Sequence, residues 1–256
     1  MGKEYVYQHS DDGLDLWSKL FTSRIGDGSG SPYQCYEDLL ELLVELNRGK
    51  DMIDIGAGHG AAIAIAKGRV GKLIALEPDK QRYVASFGAY HEPPYCEVIN
   101  QTSRDFIADN PGRKFQFVLL AMVLQHVATD NCSAIFEDIS ELLDEDGLAL
   151  ISTTHSPDDI EKFYTSTTHD NGPISREEYD DYARGLLPQT RGLPIRRFSR
   201  SDLLNEAHQH FDVLYWAPFM YFRPALLGRF AAMYNTSTEA LRDCANCQLM
   251  ILRKPG

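Results

Sequence analysis

The sequence predicts an α/β fold in which a mostly parallel sheet carries helices on both faces. Three observations support it. Short apolar runs of strand length recur at 52–55, 72–76 and 96–100, then from Phe115 onward, with a fifth opening at Leu148. Between them lie helical patterns: an Ala/Ile run at 61–66, a segment capped by Asp79 and reaching Ala89, and Ile135, Ile139, Leu142 and Leu143 on one face of a helix over 131–143. The stretch from Phe115 to Val127 is apolar almost throughout, as suits a central strand buried on both sides. Strands alternating with helices imply β-α units and a parallel sheet.

Composition sets the bounds. The 256 residues allow one large domain or two small ones, and 43% hydrophobic content suffices for a substantial core. The formal net charge of −12, with no Lys/Arg run, argues against a nucleic-acid partner. No apolar run approaches the roughly 18–20 residues of a membrane span, so no membrane partner is expected. Met1-Gly2 is not followed by a signal-type apolar region, nor by the Ser or Thr of a myristoylation site, and a cytoplasmic location is expected. Five cysteines are an odd count for a disulfide framework and read as reduced thiols. Cys244 and Cys247 make half a zinc-type pair, but His208 and His210 point to different helix faces, so no metal is expected.

Taken in order, the chain opens with little pattern before a turn cluster at 26–32. A helix over Tyr36–Leu46 follows, with Leu39, Leu42, Leu43 and Leu46 at helical spacing. The strand at 52–55 then runs into Gly56, Gly58 and Gly60. Glycine lacks Cβ, so it permits sharp turns and close approach to a ligand. Strand, glycine turn and helix N-terminus together form a nucleotide-type binding corner. A dinucleotide fingerprint would space its glycines G-x-G-x-x-G. Here the third comes one residue early and Asp54 stands two before the first. A carboxylate there repels a pyrophosphate and suits a ligand that carries positive charge. Glu77 ends the second strand about 20 residues beyond the glycines, where an acid accepts hydrogen bonds from a ribose diol.

The stretch Asp54-Ile55-Gly56-Ala57-Gly58-His59-Gly60 resembles motif I of the class I S-adenosylmethionine-dependent methyltransferases, (D/E)-x-G-x-G-x-G. The resemblance covers about residues 36–154 with four motifs and, more loosely, a terminal strand pair at 211–216 and 247–252. It implies a Rossmann-like seven-stranded sheet closed by that antiparallel pair, with S-adenosylmethionine as cofactor. By the same resemblance, Asp54, Gly56, Ala57, Gly58 and Gly60 surround the cofactor, Glu77 holds its ribose and Pro78 lies against the adenine, while His59 is a loop residue. Thr102 takes the place of the family's adenine-binding Asp, and Ser103 offers a backbone N–H beside it. The stretch from Phe115 resembles F-D-x-V-x-x-x-x-x-L-x-H-V at Leu124, His126 and Val127, with Gln116 replacing the usual Asp. It implies that main-chain carbonyls near Leu120 and Ala121 hold the methionine amino group.

One domain over 1–256 is expected. Its parts are a helical or lid segment at 1–47, a cofactor-binding core at 48–154, an inserted cap at 155–197 after the fifth strand, and a core helix and strand pair at 198–256. Tyr5, Tyr7, Trp17, Arg24 and Tyr33 are lid candidates, and Pro224–Arg242 is expected to be a helical excursion. The expected activity is methyl transfer to an oxygen or nitrogen of a small-molecule metabolite. His126, just beyond the fourth strand, and His155, after the fifth, are the candidate bases, because histidine titrates near working pH. His169, Tyr164, Arg196, Tyr215, Tyr221 and Arg223 are candidates to line the acceptor pocket. Two alternatives stay open: a non-catalytic S-adenosylmethionine-binding module and an aminopropyl-type transferase. A homodimer is compatible with the sequence.

Overall fold

The topology turns on one crossing. In the computed structural model, which describes residues 34–166, 171–187, 193–219 and 247–256, β1 (Met52–Ile55) lies between β2 (Leu73–Leu76) and β4 (Phe115–Ala121) and is parallel to both. The chain first moves outward from β1 through β2 to β3 (Cys96–Ile99). It then crosses back to β4 and continues to β5 (Leu143–Thr154). Above the junction of β1 and β4 the crossovers diverge, leaving the crevice in which such sheets bind ligands.

The full strand order is β3-β2-β1-β4-β5-β10-β9. Strand β10 (Cys247–Arg253) runs antiparallel to β5 on one side and to β9 (Asp212–Phe219) on the other. This is a seven-stranded mixed sheet of the Rossmann-like kind, with β10 as the reversed strand.

Apolar residues alternate between two cores. On one face Ile53, Ile74, Val118 and Ile151 share a cluster with Phe106 of α4 (Ser103–Asp109), Phe136 and Ile139 of α5 (Cys132–Leu142), and Leu203 of α7 (Arg200–His208). On the other, Met52, Leu73, Phe117 and Leu249 join Leu40 and Leu43 of α1 (Gln34–Leu46) and Ile63 of α2 (Ala61–Ala66). The buried stripe of α1 is Tyr36, Leu40, Leu43 and Val44, whereas Leu42 and Leu46 are 54% and 62% exposed. Periodicity alone does not distinguish these stripes, because both repeat at helical intervals. Asp79 caps α3 (Lys80–Tyr90), accepting from the Arg82 N–H at 2.9 Å.

Gln116 explains its own departure from the family pattern. Its side chain accepts from the Asp51 N–H at 3.1 Å and donates to Asp144 at 2.8 Å. An amide can do both, whereas an ionised carboxylate only accepts. The strand expected at Leu148 begins at Leu143, directly after α5, with a register shift between Phe115 and Phe117.

Residues beyond β5 form a second sheet, of order β7-β6-β8, from β6 (Lys162–Ser166), β7 (Asn171–Pro173) and β8 (Leu193–Arg197). Helix α6 (Arg176–Ala183) packs against it and against the loop after β4. The sequence does not announce these strands, because their polar, proline-containing stretches lack apolar alternation. Asp180 of α6 accepts from the backbone N–H and the hydroxyl of Thr129, both at 2.7 Å. The Tyr179 hydroxyl lies 2.9 Å from the Gln125 carbonyl and 2.8 Å from that of Val127.

Candidate active site

The glycine turn fits its surroundings closely. Gly56 has φ 75°, and a Cβ built there would stand 2.5 Å from Val123 Cγ2. Gly60 has φ 84°, and its Cβ would stand 2.5 Å from the Tyr90 ring. Both positions therefore exclude a side chain on conformation and on space. His59, between them, is exposed.

Two acids meet at this turn. Glu77 leaves the end of β2 and accepts from the Gly58 N–H at 2.7 Å and from the Asp79 N–H at 2.9 Å. Each carboxylate oxygen keeps acceptor capacity after one such bond. Asp54, on β1, is 2% exposed, and its Oδ2 is buried with no hydrogen-bond partner. Burial, and secondarily the charge of Glu77, pushes the Asp54 carboxyl up to about 7. Burial also raises Glu77, against the bonds from Asp79 and Gly58 and the nearby charge of Arg82. A buried orphan acceptor beside a second acid is suited to a cation-bearing ligand.

Beside Glu77 and Pro78, Asn100 holds a position that local sequence patterning does not mark. Its side-chain nitrogen donates to the carbonyls of Glu77 at 2.8 Å and Pro78 at 3.0 Å, tying that loop to the end of β3. Thr102 spends its hydroxyl on capping α4: it accepts from the Asp105 N–H at 3.2 Å and donates to the Asp105 carboxylate at 2.7 Å. The Ser103 hydroxyl donates to Asp138 at 2.6 Å.

Strand β4 ends at Leu120 and Ala121, and Met122 then turns the chain with φ 57°. His126 follows in a short 3-10 turn, Leu124–His126. Its Nδ1 lies 2.9 Å from the carbonyl of Pro194 in β8. Because a carbonyl only accepts, Nδ1 carries the proton and Nε2 is the basic nitrogen. Burial pulls the ring down to about 4, against the Pro194 bond that raises it, and the charge of Arg82 adds to the fall. His126 is therefore a neutral imidazole at physiological pH.

The remaining candidates divide. His155, 5% exposed, bridges to Phe198 and stands edge-on to Trp216 at 5.8 Å. Tyr164 lies in β6 under the guanidinium of Arg197, 5.2 Å away. Tyr215 is 48% exposed on the outer strand β9. Arg196 pairs with Glu161 at 2.5 Å, donates to Cys132 Sγ at 3.0 Å and stacks on Phe198 at 4.2 Å. His169, Tyr221 and Arg223 lie outside the described residues, as do the lid candidates, Pro224–Arg242 and Cys244. Among the described residues no group of three His, Cys, Asp or Glu could hold a metal ion.

Comparison with solved structures gives the same fold at low sequence identity. The chain is similar to the cyclopropane synthase MmaA2 of Mycobacterium tuberculosis, with 15% identity, TM-score 0.61, and 98% of this chain and 97% of that one covered. It is similar to the 1,6-didemethyltoxoflavin N1-methyltransferase of Burkholderia thailandensis, with 16% identity, TM-score 0.59 and coverage of 94% and 86%. The N-methyltransferase NodS of Bradyrhizobium japonicum, in complex with S-adenosylhomocysteine, gives 9% identity, TM-score 0.55 and coverage of 96% and 100%. Curated proteins yield no match. A sequence model described as a methyltransferase domain matches residues 29–212, and with that match spanning well over half its length the chain belongs to the methyltransferase-domain family.

Proposed function

We propose that this chain uses S-adenosylmethionine to methylate an oxygen or nitrogen of a small-molecule metabolite. The observation that carries the reading is the meeting of Asp54 and Glu77 at the glycine turn, with Glu77 bonded to the Gly58 N–H at 2.7 Å and Asp54 Oδ2 buried without a partner. The two acids match the two ends of an adenosyl sulfonium: Glu77 accepts from the ribose diol, and Asp54 offsets the positive charge. Two of the similar structures are N-methyltransferases, one of them with bound 1,6-didemethyltoxoflavin, which supports a small-molecule acceptor.

The bound cofactor supplies both the methyl group and its leaving group. The chain itself provides alignment and exclusion of water. The carbonyls of Leu120 and Ala121 would hold the amino-acid end, Pro78 and the Ser103 N–H would meet the adenine end, and the residues inserted after β5 would shape the acceptor pocket. His126, neutral and with its Nδ1 proton directed to Pro194, turns Nε2 toward the Gln125 amide nitrogen at 3.4 Å, and is the first candidate to receive a proton leaving the acceptor. His155 is the second candidate for that role.

Calorimetry with S-adenosylmethionine and with NAD tests the cofactor. Binding of the former and not the latter is expected, and Asp54→Ala and Glu77→Ala should each weaken it by about 1 kcal/mol or more, the size of a lost hydrogen bond to a charged group. Unchanged affinity in both variants would remove this placement. Incubating methyl-labelled cofactor with metabolite extracts then tests the enzyme, because a binding module leaves no labelled product. With an acceptor in hand, His126→Ala should cut turnover while sparing cofactor affinity; near-normal turnover removes His126 as the base.

A further inference from the structure

We propose that Gln125 is a positioning residue for the cofactor crevice. Its buried amide holds the left-handed corner at Met122, and that corner keeps Val123 seated against the first glycine of the turn. The proposal rests on the cofactor reading above and adds to it a residue at the open position of the L-x-H-V pattern. Met122 is one of two non-glycine residues with positive φ among the described residues. Side chains disfavour that region, so bonds from elsewhere must maintain it.

Those bonds converge on Gln125, which is 2% exposed. Its Nε2 donates to the Met122 carbonyl at 2.7 Å, and its Oε1 accepts from the Thr153 hydroxyl of β5 at 3.2 Å. The Met122 N–H donates to the Ser152 carbonyl at 2.8 Å, so the corner is fastened to β5 from both its ends. Beyond the corner, Val123 Cγ2 lies 2.5 Å from where a Gly56 Cβ would stand, so the corner and the glycine turn share one surface. If the amide is lost, Met122 is free to leave its left-handed conformation. Val123 then withdraws and the turn that carries the Gly58 N–H loses its backing. The Tyr179 hydroxyl bonds to the main-chain carbonyl of Gln125, so the cap rests on this same residue.

The test is a double-mutant cycle read by calorimetry with S-adenosylhomocysteine on the full chain, at a temperature where circular dichroism shows each variant folded. Gln125→Met keeps length and bulk but removes the amide, and should weaken binding about tenfold, as for one lost buried hydrogen bond. In a chain already carrying Met122→Gly, the same substitution should cost less than about twofold, because glycine adopts the left-handed conformation without help. A residue that merely stabilises the fold would not show this rescue. Equal losses in both backgrounds, or no loss in either, overturn the proposal. Should Gln125→Met fail to fold, Thr153→Val releases the amide oxygen instead, and its smaller loss must also be relieved by Met122→Gly. Failure of the unmodified chain to bind S-adenosylhomocysteine would refute the cofactor reading itself, and this proposal with it.

Discussion

Asp54 sits where its charge is least welcome. The unfolded chain gives up that proton near pH 4, whereas in the folded protein burial and Glu77 hold it until about 7. The folded state thus binds the extra proton between those values, and stability falls as pH rises through that window. Asp54→Asn removes the ionisation. The cofactor-free variant should melt at a higher temperature than the unmodified protein at pH 8, and the gap should close toward pH 4. A constant gap across the range would show that Asp54 ionises freely in the folded chain. Cofactor binding should follow the opposite trend. With Asp54 facing the sulfonium as proposed above, affinity for S-adenosylmethionine is expected to rise between pH 6 and 8 as its carboxyl ionises, and calorimetry of Asp54→Asn should show that rise lost.

At the scale of elements, α6 is clamped to the loop that follows β4. Asp180 receives two bonds from Thr129, Arg184 pairs with Asp130 at 2.7 Å, and Tyr179 is fully buried against the carbonyls of Gln125 and Val127. These contacts join α6 to the corner that bears His126, and β8 meets the same histidine through Pro194. Removing the Asp180 carboxylate leaves a backbone N–H and a hydroxyl of Thr129 without their acceptor. Asp180→Ala should therefore destabilise the protein by about 1–3 kcal/mol in urea unfolding. A change below ~0.5 kcal/mol would mean that the clamp is redundant. Arg196, a candidate pocket residue by sequence, is 9% exposed. A buried guanidinium needs partners, and Glu161, Cys132 and the Phe198 ring supply them.

For the whole molecule, stability depends on a strand from the far end of the chain. Strand β10 pairs with β5 through six residues and with β9 through seven, and so joins the parallel core to the outer strand. Leu249 at its centre is 0% exposed and belongs to the core that includes α1 and α2. Leu249→Ala should cost about 2–5 kcal/mol in global stability, the usual range for a buried leucine. Loss confined to local fraying of β9, seen by hydrogen exchange, would contradict a single cooperative sheet.

Local patterns in the sequence determined the alternation of strands and helices, the acid-led glycine turn and Glu77, because each depends on residues close together in the chain. The strand from Phe115 was legible because burial on both faces demands an uninterrupted apolar run. Tertiary structure alone decided the buried stripe of α1, where two apolar stripes share helical spacing, and the pairing of β6 with β8, whose partners lie 27 to 35 residues apart. It also decided the roles of Gln116, Asn100 and Gln125. Each is a polar side chain whose meaning is its hydrogen-bond partner, and a partner 65, 23 or 28 positions away leaves no trace in local spacing. Likewise it took the fold to bring Pro194 onto His126, fixing the imidazole as a neutral tautomer, since burial and a distant carbonyl set that state rather than the histidine's neighbours in sequence.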